Sequence, residues 1–445
     1  MNLIDSMKSI LCFFFVFLAS QATAAEWTII HAGKLLAEPG RDVLLEKSVI
    51  IKDGKIDSIA DGFVQASSLE GALANKVSVH DLSGYFVLPG LIDMHTHLSL
   101  EISPKLQYEM IERSTGYLAL RAGRNARRTL DAGFTTVRNL FGGEEMLALR
   151  DAIADKLVVG PRVFAVGGGI SVTCGHLDLH SMYLLPKDHE LTTQVDTCDG
   201  VAACRQSTRR LIRNGADHIK IASTGGVLSR TGAGLNQQMF DDEIRAVVET
   251  AHSMNRKVTA HAHGLDGINA ALRAGVDSIE HGTFLDKESI RLFKKNDAYL
   301  VPTLLAPALI GTKLLGKNSP LPKPQQEKAR IAMQRAKTYA RDAHKGGVKI
   351  AFGTDAGVFP HGQNGREFRY LVEWAGMSPM QAIKSATVNA ADLLGQADTL
   401  GTIAAGKYAD LIAVDGDPLV NVTELEHVDF VMKEGVVYKF NKAMN

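Results

Sequence analysis

Net charge is the first thing this chain lacks: Lys and Arg total 49, Asp and Glu total 49, and the formal charge of the 445 residues is zero. A balanced chain carries no global field to gather nucleic acid or an anionic membrane surface, so a small neutral or zwitterionic molecule is the expected partner. Cysteine is scarce as well, with four in the chain. Cys174, Cys198 and Cys204 lack the spacing of a thiolate metal site. There is no internal repeat and no low-complexity segment. Glycine runs occur at Gly167 to Ile170 and Ser223 to Val227, but neither has the Lys-Ser/Thr and helix start of a phosphate loop, so no nucleotide is implied.

A long apolar span is missing from the N-terminus too. Lys8 precedes an apolar run from Ile10 to Ala19 that is about half the length a bilayer crossing needs, and Ala22-Thr23-Ala24 follows as a small-residue cleavage signal. Residues 1–24 therefore read as a signal peptide, with export to the periplasm or the medium and no stable membrane anchor. Cys12 leaves with that segment. An odd count of three cysteines in an oxidising compartment allows one internal bridge at most. Cys198 and Cys204 are the closer pair, and bridging them requires a loop around Asp199 and Gly200.

With 45% hydrophobic residues the chain can build a large core. The runs TIIHAGKLLAEPG, SVIIKDGKIDSIA and KVSVHDLSGYFVLPG are short, β-rich and punctuated by Asp-Gly and Gly turns, as antiparallel hairpins are. Similar runs return in GKYADLIAVDGDP and FVMKEGVVYKF. Both ends of the chain, 25–86 and 400–445, are thus expected to build one small β-sandwich domain. Between them, over 87–399, apolar strands alternate with helical stretches, which signals βα units around a parallel sheet. Candidate strands are Phe86 to His97, Thr135 to Leu140, Arg162 to Val166, His218 to Ala222, Lys257 to His263, Ser278 to His281, Tyr299 to Leu304 and Lys349 to Thr354. Eight strands close a (β/α)8 TIM barrel. In the helical stretch DDEIRAVVETAHSMNR, Asp241 and Asp242 stand where an N-cap belongs.

Active sites of such barrels sit where the strands finish, and the polar residues of this chain gather there. In LPGLIDMHTHLSL, strand alternation puts Asp93, His95 and His97 on one face and Ile92, Met94 and Thr96 on the other. Lys220 ends HIKIAS, His261 and His263 end KVTAHAH, His281 ends SIEHG, and Asp355 follows AFGT. Neutral imidazole is the commonest metal-binding side chain, and its recurrence at successive strand ends points to a metal centre.

That ordered set resembles the amidohydrolase superfamily, in its form with two metals. The phrases DAGFTTVRNL, ASTGGVL, TAHAHG, DSIEHGT, GTDAG and LGTIAAGKYADLIAVDGDPL resemble its metal-dependent dipeptidase branch. This branch is related to imidazolonepropionase and includes Xaa-Pro and Xaa-Arg/Lys dipeptidases and ochratoxin-hydrolysing amidases. The resemblance implies two divalent ions, zinc first. His95, His97 and Asp355 would hold one ion and His261 and His281 the other, with N6-carboxylated Lys220 bridging them. Asp355 would also move the proton of the attacking water. The reaction implied is cleavage of an amide in dipeptides or N-acyl amino acids, ochratoxin A included. Deaminases and cyclic-amide hydrolases of the superfamily are the alternative. The deaminases carry a glutamate where this chain has Gly264. Candidates for substrate contact are His263, His176 in VTCGHLDLH, His361 in VFPHGQNG and Arg230 in LSRTGAG, whose guanidinium would match a carboxylate bidentately. Asp93 is expected to orient a ligand imidazole. Assembly into an oligomer of identical chains stays open.

Overall fold

The computed structural model describes residues 26–69, 72–73, 76–103, 109, 112–183, 195–229, 234–314 and 322–441. Residues 1–24, expected to be a signal peptide, and Arg230 lie outside the described residues.

The two ends of the chain meet in one sheet. Strands β1 (Trp27–Leu35), β2 (Leu44–Lys52), β3 (Lys55–Asp61), β4 (Val77–Pro89), β15 (Leu411–Val414), β16 (Phe430–Lys433) and β17 (Val436–Phe440) pair in the order β17-β16-β15-β4-β1-β2-β3. The expected sandwich of facing layers is thus seen as a single seven-stranded ladder. Its centre is covered on both faces. Leu411, Ala413 and Val87 pack with Ile30, Val49 and Phe430 in the sheet's own core, whereas their alternating neighbours Ile412, Val414, Phe86 and Leu88 join the large core beneath. Period-two alternation therefore seats the sheet on the rest of the fold.

The expected first strand is split by Pro89-Gly90. Residues up to Pro89 belong to β4 in the end sheet, and β5 (Leu91–Thr96) opens the parallel set. β5 pairs with β6 (Phe134–Asn139), and β6 with β7 (Arg162–Ala165). A second parallel ladder contains β8 (Gly169–Ser171), β9 (Val195–Thr197), β10 (Ile219–Ala222), β11 (Val258–Ala262), β12 (Ser278–His281), β13 (Tyr299–Val301) and β14 (Lys349–Ile350), in the order β14-β13-β12-β11-β10-β8-β9. The short β8 and β9 had no counterpart among the expected strands. This is a TIM-barrel-like α/β fold whose strands form two ladders and not one closed eight-stranded sheet. At one seam the chain beyond β14 lies along β5. Met94 N donates to Phe352 O at 2.9 Å, and Asp355 N to His95 O at 2.8 Å.

Helices cover the parallel strands. In Asp241–His252 the cap falls one residue earlier than expected, at Phe240, and Asp241, Asp242 and Glu243 form the first turn. There their charges complement the helix dipole. The Glu243 carboxylate accepts from Phe240 N at 2.8 Å and from Gly200 N at 2.7 Å. Gly200 belongs to the turn that joins Cys198 and Cys204, which are disulfide-bonded.

Candidate active site

Parallel register brings the strand ends to one level. Ala222 of β10 pairs with His261 of β11, and Ala262 with His281 of β12. Inward residues of these strands are Lys220, Thr259, His261, Ser278 and Glu280, while Ile219, Ile221, Ala260 and Ile279 face outward into the large core. The last turns then rotate side chains into position at a conformational cost. His281, Thr303 and Asp355 have φ of +71°, +53° and +65°, a left-handed region that costs a non-glycine residue about 1 kcal/mol or more and persists where surrounding contacts enforce it. Here one contact is a hydrogen bond between two of the strained residues, His281 Nδ1 and Thr303 Oγ1, at 2.8 Å.

The imidazoles converge. Ring centroids of His97 and His95 are 5.0 Å apart, His95 and His281 5.2 Å, His281 and His261 4.7 Å, and His281 and His263 4.8 Å. His97 Nε2 lies 2.8 Å from Asp355 Oδ1, and His95 Nε2 lies 3.4 Å from the same oxygen. These side chains and Lys220 floor a cavity of about 280 Å³. His176 lines it too, its ring 4.1 Å from that of His261. Gly226 makes room for that ring, since a Cβ there would lie 2.4 Å from His176 Cε1.

Burial holds His95, His261 and His281 well below the ordinary imidazole range, His263 at about 4 and His176 at about 3. Neutral rings are the form that binds metal. Burial also lowers Lys220 to about 8, and no ion pair or hydrogen bond engages its amine among the described residues. Burial raises the Asp355 carboxyl, but the His95 and His97 imidazoles outweigh it and keep the group below the usual carboxylate range.

The donor set fits a divalent ion. Ligand atoms of His261, His263 and His281 lie within 4.8 Å of one another, as do those of His95, His281 and Asp355. The other ring nitrogens are already held: His95 Nδ1 by Glu280 at 2.7 Å and His263 Nδ1 by Thr283 at 2.7 Å. Such outer bonds fix the tautomer of a ligating histidine. His97 Nδ1 is buried without a hydrogen-bond partner among the described residues. The grouping differs from the implied sets in that His281 belongs to both clusters and His263 stands as close as His261.

Other expected residues fall elsewhere. His361 does not line the cavity, and its Nε2 donates to Leu100 O at 3.0 Å. Among the described residues Asp93 makes no hydrogen bond to an imidazole. Its carboxylate accepts from His95 N at 3.0 Å, Thr354 N at 3.1 Å, Thr354 Oγ1 at 2.6 Å and Asn364 Nδ2 at 2.7 Å, so it braces the backbone of two site segments. Sequence reasoning missed the group that orients a ring, Glu280. Fully buried, it accepts from Arg138 at 2.8 Å and from Ser278 Oγ at 2.7 Å as well as holding His95. A carboxylate directly before a strand-end histidine, in SIEH, was the available signal.

Residues 86–439 match the amidohydrolase family. The chain is 32% identical over 436 residues to an ochratoxinase of Aspergillus niger, covering 93% of this chain and 87% of that one. Among solved structures, a Xaa-Pro dipeptidase with methionine bound in its active site is 40% identical, with a TM-score of 0.84 over 93% of this chain and 100% of that one. A prolidase complexed with N-methylphosphonate-L-proline is 30% identical, with a TM-score of 0.82 over the same shares.

Proposed function

The chain belongs to the amidohydrolase family, whose members typically bind divalent metals and cleave amide C–N bonds, and from that premise we propose that it hydrolyses dipeptides or N-acyl amino acids and releases the C-terminal amino acid. Ochratoxin A, a phenylalanine amide, is one candidate substrate. The observation that carries the reading is the meeting of five strand-end imidazoles, a buried lysine and a carboxylate on one cavity floor.

In this reading His95, His97 and Asp355 would hold one divalent ion and His261 and His281 a second, zinc in each case, and N6-carboxylated Lys220 would serve both. Divalent metal, when bound, supplies a lowered water pKa and a polarised carbonyl. The chain's own groups do the rest. The lone pair of Lys220 Nζ adds to CO₂ and the nitrogen sheds one proton, leaving a carbamate. Its burial beside the imidazoles supports that assignment. Asp355 accepts the proton of the attacking water and delivers it to the departing amine nitrogen, so the products are a carboxylate and a free amine. His176 and His263, which line the cavity, and Arg230 are the groups proposed to meet the substrate's carboxylate. An exported location after loss of residues 1–24 is also proposed, and the Cys198–Cys204 disulfide supports it, since such bridges persist in oxidising compartments.

The test is a panel of dipeptides, N-acyl amino acids and their C-terminal amides, assayed with added Zn²⁺ and bicarbonate. Cleavage of the free acids and not of the C-terminal amides is expected. Turnover confined to cyclic imides or aminated rings would end the dipeptidase reading.

A further inference from the structure

Away from the imidazoles the cavity is apolar, and one helix supplies much of that wall at a regular spacing. In Lys323–Arg335 and its cap, Ala329, Ala332, Met333 and Ala336 follow the i, i+3, i+4, i+7 pattern of one helical face, and all four line the cavity. Glu327 and Arg330 pair with each other on the solvent side. Three of the four cavity-facing residues are alanine, which leaves open a volume that larger apolar side chains would fill. The fourth forms an end wall, where helix Leu305–Leu314 approaches so closely that a Cβ on Gly311 would lie 2.7 Å from Met333 Cε.

This wall is anchored. The Lys328 ammonium donates to the carbonyls of Gly226 at 3.0 Å and Ser229 at 2.5 Å, and the Gln325 amide donates to Leu228 O. Those bonds tie the helix to the segment after β10, which carries Val227 and Leu228 into the same cavity. A chamber fixed in this way is formed before substrate arrives.

We propose that the alanine-lined chamber is the specificity pocket and that the substrate places in it a large apolar group, an aromatic or branched aliphatic side chain or acyl group adjoining the scissile amide. The inference rests on the amide-hydrolase reading above and adds to it which residues select the substrate. Exchanging a methyl for a phenyl group in such a chamber is worth about tenfold or more in kcat/KM, because selectivity of an apolar pocket follows the surface it buries.

Two matched pairs test it: N-acetyl- against N-benzoyl-alanine, and N-acetyl-alanine against N-acetyl-phenylalanine. One pair should show a preference of about tenfold or more for the bulky member, which identifies the side of the amide that enters the chamber. Ala332→Phe, which fills the chamber, should cut that ratio by about tenfold, and Met333→Ala, which lengthens it, should raise turnover of the corresponding naphthyl substrate relative to the phenyl one. Ratios near one in both pairs, or ratios that neither variant moves, overturn the proposal while leaving amide hydrolysis standing. Calorimetry separates the two claims. If no amide is cleaved, yet N-benzoyl-phenylalanine binds more tightly than N-acetyl-alanine and Ala332→Phe removes the difference, the chamber holds and the hydrolase reading fails. Equal binding of the two probes overturns the chamber directly.

Discussion

Glu280 and His95, which stand on strands far apart in sequence, are joined by a 2.7 Å contact between Oε2 and Nδ1, and the same carboxylate receives Arg138 at 2.8 Å. All three are almost completely buried. A carboxylate acceptor on Nδ1 fixes that ring with its Nε2 toward Asp355, and the guanidinium supplies the opposite charge beside it.

Glu280→Gln should therefore fold yet bind metal less well, because an amide has no charge to offer the ring. Loss of an outer partner of this kind typically costs about 10- to 100-fold in metal affinity or activity. Competitive titration with a chromophoric chelator measures it. Affinity within error of wild type would show that His95 needs no such partner.

Arg138→Met should destabilise the protein by about 3–5 kcal/mol, since it leaves the Glu280 carboxylate buried and unpaired. The double variant Arg138→Met/Glu280→Met removes both charges and should recover part of the loss. Urea unfolding of the three proteins decides it, and a double variant as weak as the single one would refute the charge argument.

These two residues show where reading the sequence stops. His95, Lys220, His261, His281 and Asp355 were legible because strand alternation and the strand-end rule depend on local spacing alone. Glu280 sits one residue before His281 and was passed over, because its meaning comes from Arg138 on a strand about 140 residues away in the chain. Asp93 was assigned to an imidazole for the same reason. Its actual partners, Thr354 and Asn364, follow β14, more than 250 residues away in the chain but beside β5 in the fold. The break after Pro89 was visible as Pro-Gly, but the apolar runs on either side of it are continuous, so they read as one strand. His361 illustrates the converse error: a loop histidine on the right side of the fold bonds to Leu100 O and does not line the cavity.

A pH effect on stability is expected at the opposite end of the strands. His252 Nε2 lies 2.9 Å from Asp277 Oδ2, and that bond raises the imidazole above its ordinary 6.5. Burial raises Asp277, but the His252 bond and the Val258 amide outweigh it and hold the carboxyl below 3.8. A raised folded-state value means that the His252 contribution is fully present below 6.5 and is lost as pH climbs through the folded value. Asp277 sets the lower bound, since its contribution is present above 3.8 and is lost on acidification. The melting-temperature gap between wild type and His252→Gln should thus be wider at about pH 5.5 than at about pH 8.5. An equal gap at both values would mean that the ion pair adds nothing. The imidazole is substantially exposed, so the gap will be small and will shrink with salt.

Asp355 provides the most direct test of the chemistry. Its Oδ1 lies against two imidazoles at 2.8 and 3.4 Å, and its carboxyl is held below the usual range. Such a group is ionised throughout the neutral range and ready to accept a proton. Asparagine keeps the shape and one oxygen but cannot take that proton, and a general acid–base group typically contributes about 10² to 10⁴ in rate. Asp355→Asn is expected to fold, as judged by circular dichroism and melting, and to lower kcat by about a hundredfold or more on whichever amide the panel identifies. The same aspartate is also a proposed ligand, so metal content must be measured on both proteins. A hundredfold loss with unchanged metal content locates the proton transfer at Asp355, and a comparable loss tracking a missing ion assigns the residue to ligation instead. If kcat falls only a few-fold while metal content holds, the proton moves through another group, and His263, whose ring lies 4.8 Å from that of His281, would be the next residue to replace.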